Sequence, residues 1–153
     1  MRRPDAAQRI TELAMDYQRA KNSGAGLVWG LRDPYLFVAD HVLAVTGADP
    51  AAAWRGSYDS AEGAAAMAAK YYGGGVEAFA AAMAAEFGFE EIPPTWPDGI
   101  NTCPLAVGDL GLCRQSGMED RLGVFYGSTF LFLAQAGKQY FDPPSAARVW
   151  KIV

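Results

Sequence analysis

Trp29-Gly30-Leu31-Arg32-Asp33-Pro34 runs directly into Tyr35-Leu36-Phe37-Val38-Ala39-Asp40. This is a polar turn feeding an unusually apolar helix. Asp33 is a good N-cap, because its carboxylate can accept from the free N–H groups of a first helical turn. Pro34 suits the first helical position, where no backbone N–H is needed and a fixed φ is already helical. The residue before a proline is driven to extended backbone, the conformation an N-cap adopts. The helix is expected from Pro34 to about Thr46, with Gly47 as its stop. Leu36, Phe37, Val38, Val42, Leu43 and Val45 go nearly all round it, so it is predicted to be buried on most sides.

Working outward, a first helix is expected from about Ala6 to Ala20. Asp5 is its cap and Gln8 the return partner; Ile10, Leu13, Ala14 and Tyr17 form the apolar stripe. Asn22-Ser23-Gly24 ends it. On the other side, Asp49-Pro50 repeats the cap-and-proline start and predicts a short helix to about Trp54. After a loop at Arg55-Gly56-Ser57-Tyr58-Asp59, Ser60 caps an alanine-rich helix from Ala61 to about Tyr72. Gly73-Gly74-Gly75 breaks the chain. Val76, Phe79, Met83 and Phe87 then mark a further helix, closed by Gly88.

The composition changes near Ile92. Residues 91–105 are expected to form a proline-rich loop, with Pro93, Pro94, Pro97, Pro104, Trp96 and Asp98-Gly99. Short strands follow over residues 106–153: Asp109 to Cys113, Arg121 to Tyr126, Thr129 to Ala134, Gln139 to Phe141 and about Ala147 to Ile152. Ala136-Gly137 is one of the turns between them. Helices over residues 1–90 followed by hairpin-linked strands define an α+β fold with an antiparallel sheet, in a single domain spanning 1–153.

The chain is 51% hydrophobic and 20% charged, with net charge −4, which fits a packed domain. Its pI of about 4.9 argues against a general nucleic-acid surface. No run is apolar enough to insert in a bilayer, and no secretion signal is read at the basic Met1-Arg2-Arg3 start. Cys103, Cys113 and His41 do not make a metal-site pattern, and no cofactor is expected.

Three segments together carry a resemblance. Trp29-Gly30-Leu31-Arg32-Asp33-Pro34 is similar to a Trp-Gly-x-x-Asp-Cys motif. Thr46-Gly47-Ala48-Asp49-Pro50 and Arg55-Gly56-Ser57-Tyr58-Asp59-Ser60 resemble the segments that follow it. The motif belongs to the NlpC-type branch of papain-like cysteine peptidases, in a group associated with phage and prophage tails. Gly108-Asp109, Leu122-Gly123-Val124 and the final Val149-Trp150-Lys151 lie where that group has its sheet. The resemblance implies family-motif roles for Trp29, Gly30, Asp33, Asp49, Pro50, Arg55 and Tyr58. It also implies a cysteine nucleophile at the helix start and a histidine base on the first sheet strands, acting on peptidoglycan peptides.

Here Pro34 stands at the nucleophile position, and the base position falls near Arg121. A pyrrolidine has no nucleophile, and a guanidinium stays protonated near neutral pH. His41 lies seven residues beyond Pro34 on the same helix, about two turns away. The expectation is a catalytically inactive structural or adaptor protein of a phage or phage-like (gene transfer agent-type) tail tip. It would assemble in the bacterial cytoplasm and bind a tail hub or another tail-tip protein. Two other readings stay open: a diverged peptidoglycan hydrolase using Cys103 or Cys113, and a cell-wall-binding module that does not cut. On packing grounds Cys103, Cys113 and His41 are read as core or partly buried residues, Asp109 as a turn residue, and Tyr71-Tyr72 with Gly73 to Gly75 as an interhelical linker. The Trp96 loop is the candidate exposed contact.

Overall fold

The computed structural model describes residues 1–96, 103–134 and 137–153. Its helices are α1 (Ala6–Asn22), α2 (Pro34–Thr46), α3 (Ala61–Tyr72) and α4 (Val76–Phe87). The strands are β1 (Glu90–Ile92), β2 (Leu110–Cys113), β3 (Arg121–Phe125), β4 (Phe130–Ala134), β5 (Gly137–Phe141) and β6 (Ala146–Lys151). All pairings are antiparallel, in the order β1-β6-β2-β3-β4-β5. The α+β fold, helices first and sheet second, is as the sequence predicts.

The α2 helix is the centre of the packing. Leu36, Val38, Ala39, Val42 and Val45 are fully buried, and Phe37 is nearly so. Burying each of the larger side chains stabilises the fold by roughly 1.5–3 kcal/mol. Tyr17 of α1 meets Phe37 edge-on, with ring centroids 5.2 Å apart. One sheet face completes this core with Leu110, Leu112, Leu122, Val124, Leu133 and Trp150. The other face has its own core of Cys113, Phe125, Phe130, Phe132, Phe141, Ala146 and Val149. Two strand glycines are needed there. A Cβ on Gly111 would fall 2.5 Å from the Phe130 ring, and one on Gly123 would fall 2.9 Å from Phe141. The gap they leave lets Phe130 and Phe141 stack with centroids 5.0 Å apart.

Four local expectations need correction. α1 runs on to Asn22, and Asp5 does not cap it. The Asp5 carboxylate is held by Arg3 and Arg9 instead, while Gln8 bonds to Glu12. The segment after Pro50 is a series of turns rather than a helix. Trp54 N–H donates to Ala51 O and Ser57 N–H to Trp54 O, three residues back in each case. Arg55 N–H makes one four-residue bond, to Ala51 O at 2.7 Å, but a single such bond does not propagate a helix. The proline-rich stretch 91–105 opens as strand, because β1 pairs with β6 (Glu91 with Trp150, Ile92 with Val149). Finally, Asp109 is a buried tie, not a simple turn residue. Its carboxylate accepts from Ala106 N–H (2.8 Å), Ile152 N–H (2.9 Å) and the Arg2 guanidinium (2.5 Å). Pro97 and Asp98-Gly99 lie outside the described residues, as does Ala136 of the Ala136-Gly137 turn.

Candidate functional site: a groove at the start of the buried helix

Asp33 is fully buried at the N-terminus of α2. Oδ1 accepts from Tyr35 N–H and Leu36 N–H, each at 3.0 Å, which is the predicted cap. Oδ2 accepts from Gly30 N–H at 2.9 Å and from the Tyr58 hydroxyl at 2.6 Å. Four donors on one carboxylate offset the cost of burying it. Gly30 has φ +85, and a Cβ there would lie 2.0 Å from Tyr58 O, so no other residue fits. Burial and the Asp33 carboxylate both push the Tyr58 phenol upward, so it stays protonated and donates.

The other motif residues form a second cluster. Arg55 donates to both Asp49 oxygens (3.1 and 2.9 Å) and to Asp40 at 2.8 Å. Asp40 also accepts from the Tyr17 hydroxyl at 2.7 Å. Burial raises the Asp40 carboxyl despite these two donors. For Asp49, burial acts upward but Arg55 and the Ala51 N–H outweigh it, leaving the carboxyl below its ordinary value. Pro50 follows, and its carbonyl accepts from the Tyr72 hydroxyl at 3.4 Å. This cluster fastens α1, α2 and the turn after Pro50 to one another.

Trp29 and Pro34 line a groove of about 840 Å³. Its small-residue wall is Ala61, Ala64 and Ala65 of α3 with Gly74, Gly75 and Ala78 around the start of α4. Tyr35, Leu122, Phe132 and Leu133 add apolar surface, and Glu77, Glu119, Asp120 and Arg121 supply the charge. The structure thus brings Pro34 and Arg121 to one cavity. The Arg121 guanidinium donates to Glu119 O at 3.0 Å and lies 5.9 Å from the Phe132 ring centroid. The glycine stretch read as a plain linker therefore contributes wall to the groove. Sequence reading missed this, and missed the part played by α3. The only signal was the density of alanine and glycine, which serves helix formation equally well.

The remaining candidates lie elsewhere. Cys113 is buried among the sheet's phenylalanines, and burial pushes its thiol up. Cys103 is half-buried against that same cluster. Trp96 is half-buried, at the edge of the described residues. His41 is wholly rather than partly buried. Its Nδ1 lies 2.6 Å from Phe37 O, and its Nε2 lies 2.5 Å from the Tyr126 hydroxyl. A carbonyl can only accept, so Nδ1 carries the proton and Tyr126 donates to Nε2. Burial drives the imidazole pKa down to about 4, so it is neutral at pH 7. Among the described residues, no three His, Cys, Asp or Glu side chains are placed to hold a metal ion, and no helix is long and apolar enough to cross a membrane.

These features define an α+β domain with a groove where the start of its central helix approaches the sheet. The chain belongs to the family described as a domain of unknown function, DUF6950, which matches residues 1–152. No curated protein and no solved structure matches it.

Proposed function

We propose that the chain is a catalytically inactive, peptidase-like structural or adaptor protein of a phage-like tail tip. Its groove binds a neighbouring tail protein, with a tail hub protein as the expected partner. The observation carrying this reading is that Pro34 and Arg121 line the same groove, with no Cys, His, Ser, Thr or Lys among the described lining residues. Nucleophilic catalysis needs a nucleophile and a base within hydrogen-bond reach of each other. Neither Pro34 nor Arg121 supplies one. Glu77 and Asp120 are ion-paired to Arg114, so they also make poor bases.

The binding side of the reading rests on surface chemistry. Val28 and Leu31, 37% and 54% exposed, sit on the turn that carries Trp29 to the groove. Exposed aliphatic side chains beside an apolar cavity suit a protein partner better than free solvent. A stable contact would bury on the order of 1,000 Å² or more. The hydrolase reading has less support, because Cys113 is buried with a raised thiol pKa. An activated cysteine has the opposite surroundings.

Two measurements test the proposal. The chain is co-expressed with a phage-like tail hub protein, and it is incubated alone with purified peptidoglycan. Co-purification and no released peptide are expected. Released fragments that disappear on Cys103→Ala or Cys113→Ala would overturn the inactive reading. Failure to co-purify with any tail protein would overturn the adaptor reading.

A further inference from the structure

We infer that the free edge of the sheet is a self-pairing surface: β5 of one chain pairs with β5 of a second copy, antiparallel and two-fold about Gln139. This is independent of what the groove binds. β5 is last in the strand order, so β4 covers one of its edges, and among the described residues no strand covers the other. All five residues of β5 pair with β4, which keeps about 17 Å of strand extended. An edge strand turns alternate N–H and C=O groups outward, and these accept another strand. Gln139 and Tyr140 are exposed there, Tyr140 by 68%. β1, at the opposite edge, has only three residues, and Arg148 holds its Glu91.

The side chains select a second copy as the occupant. Lys138 and Tyr140 lie on one face of the sheet, across from Leu133 and Leu131 of β4. Pairing about Gln139 sets Lys138 opposite Tyr140 of the second copy, and does so twice. Each pair places an ammonium beside an aromatic ring, a favourable cross-strand contact. The two Gln139 amides meet on the axis, where each can donate to the other. The ends match as well. The exposed Asp142 after the strand comes to the end where Lys21 of the second copy lies beside Gly137. Other two-fold registers do less. Centring on Lys138 sets ammonium against ammonium, and centring on Tyr140 pairs only three of the five residues. Edges this short bury less than the roughly 1,000 Å² of a stable interface, so the dimer is weak and depends on concentration.

Sedimentation velocity on the full chain, from about 5 to about 500 µM, should show a monomer passing to a dimer and nothing larger. Tyr140→Lys sets ammonium against ammonium and should weaken the dimer about tenfold or more. Lys138→Glu combined with Tyr140→Lys makes an opposite-charge pair in the same register and should restore it. Neither side chain is buried, so far-UV circular dichroism should be unchanged in both variants. Gln139→Cys, made together with Cys103→Ser, should cross-link under copper phenanthroline, because the Cα atoms across the axis lie about 4.5–5.5 Å apart. Lys138→Cys and Tyr140→Cys should not cross-link. A monomer at every concentration would overturn the inference, as would a dimer that Tyr140→Lys leaves intact or that the double variant fails to restore. Cross-linking through Tyr140→Cys instead of Gln139→Cys would overturn the register. Growth beyond a dimer would mean β5 pairing with β1 of the next copy, and would overturn the two-fold. None of these outcomes involves a tail protein, so the tail-tip reading stands or falls separately.

Discussion

Asp33 does two jobs with one carboxylate, and they can be separated. Asp33→Ala removes the α2 cap and leaves the buried Gly30 N–H and the Tyr58 hydroxyl without their acceptor. The expected loss is about 2–4 kcal/mol in urea unfolding. Tyr58→Phe removes one donor and leaves the carboxylate three others, so about 1 kcal/mol is expected. Equal losses in the two variants would show that the cap contributes nothing. The cap was legible, because Asp-Pro before an apolar run carries its own local chemistry. The second job was not, since Tyr58 lies 25 residues away and only the folded chain brings its hydroxyl to Oδ2. His41 shows the same limit: the donor to its Nε2 is the Tyr126 hydroxyl, 85 residues along the chain.

At the scale of elements, α2 was legible from end to end because its two caps bracket one apolar run. β1 was not. Glu90 and Glu91 are exposed and only Ile92 packs inward, so three residues show no alternation. The strand exists because β6 offers it partners some 60 residues later. The groove was legible only in its first wall, at Pro34, because α3, the start of α4 and β3 complete it from separate parts of the sequence. Position 34 gives the element-scale prediction. Pro34→Cys should fold with a loss below about 1 kcal/mol, since the cap bonds to Asp33 remain and only proline's stiffness is lost. The new thiol stands at a helix N-terminus on the groove, where the helix dipole favours thiolate. In iodoacetamide labelling followed by mass spectrometry it should react at least about tenfold faster than Cys113. Adding Ala65→Trp should slow it. A rate as low as that of Cys113 would mean that position 34 does not face the groove. Cleavage of peptidoglycan is not expected, because Arg121 supplies no base.

The whole molecule is closed by ties between distant parts, and one of them makes its stability depend on pH. Arg2 bonds to Val107 O, Ile152 O and Asp109, fixing the first residues to the end of the sheet. His41 and Tyr126 tie α2 to the end of β3 through the middle of the core. The His41 imidazole has a pKa of about 4 when folded and about 6.5 when exposed. Its neutral form is therefore the one the fold favours. That contribution is complete above pH 6.5, falls as pH drops through the exposed value, and levels off below about 4. Between pH 7.5 and 5 the loss should be about 2 kcal/mol. Lys138 acts in the same direction, since its charge opposes a second one on the ring. Asp40 and Asp109 act the other way, because their raised folded pKa values add stability as they protonate. That gain sets in as pH falls through their raised folded values and is complete by the ordinary value of 3.8, so where it overlaps the histidine step it offsets part of the loss. The chain has a single histidine, so its titration can be isolated. Urea unfolding at pH 7.5 and 5 should show the loss in the native chain. In His41→Gln, which does not titrate there, no such loss is expected at pH 5. An equal loss in both proteins would assign the acid sensitivity to groups other than His41 and overturn the claim that its burial makes the stability of the fold pH-dependent.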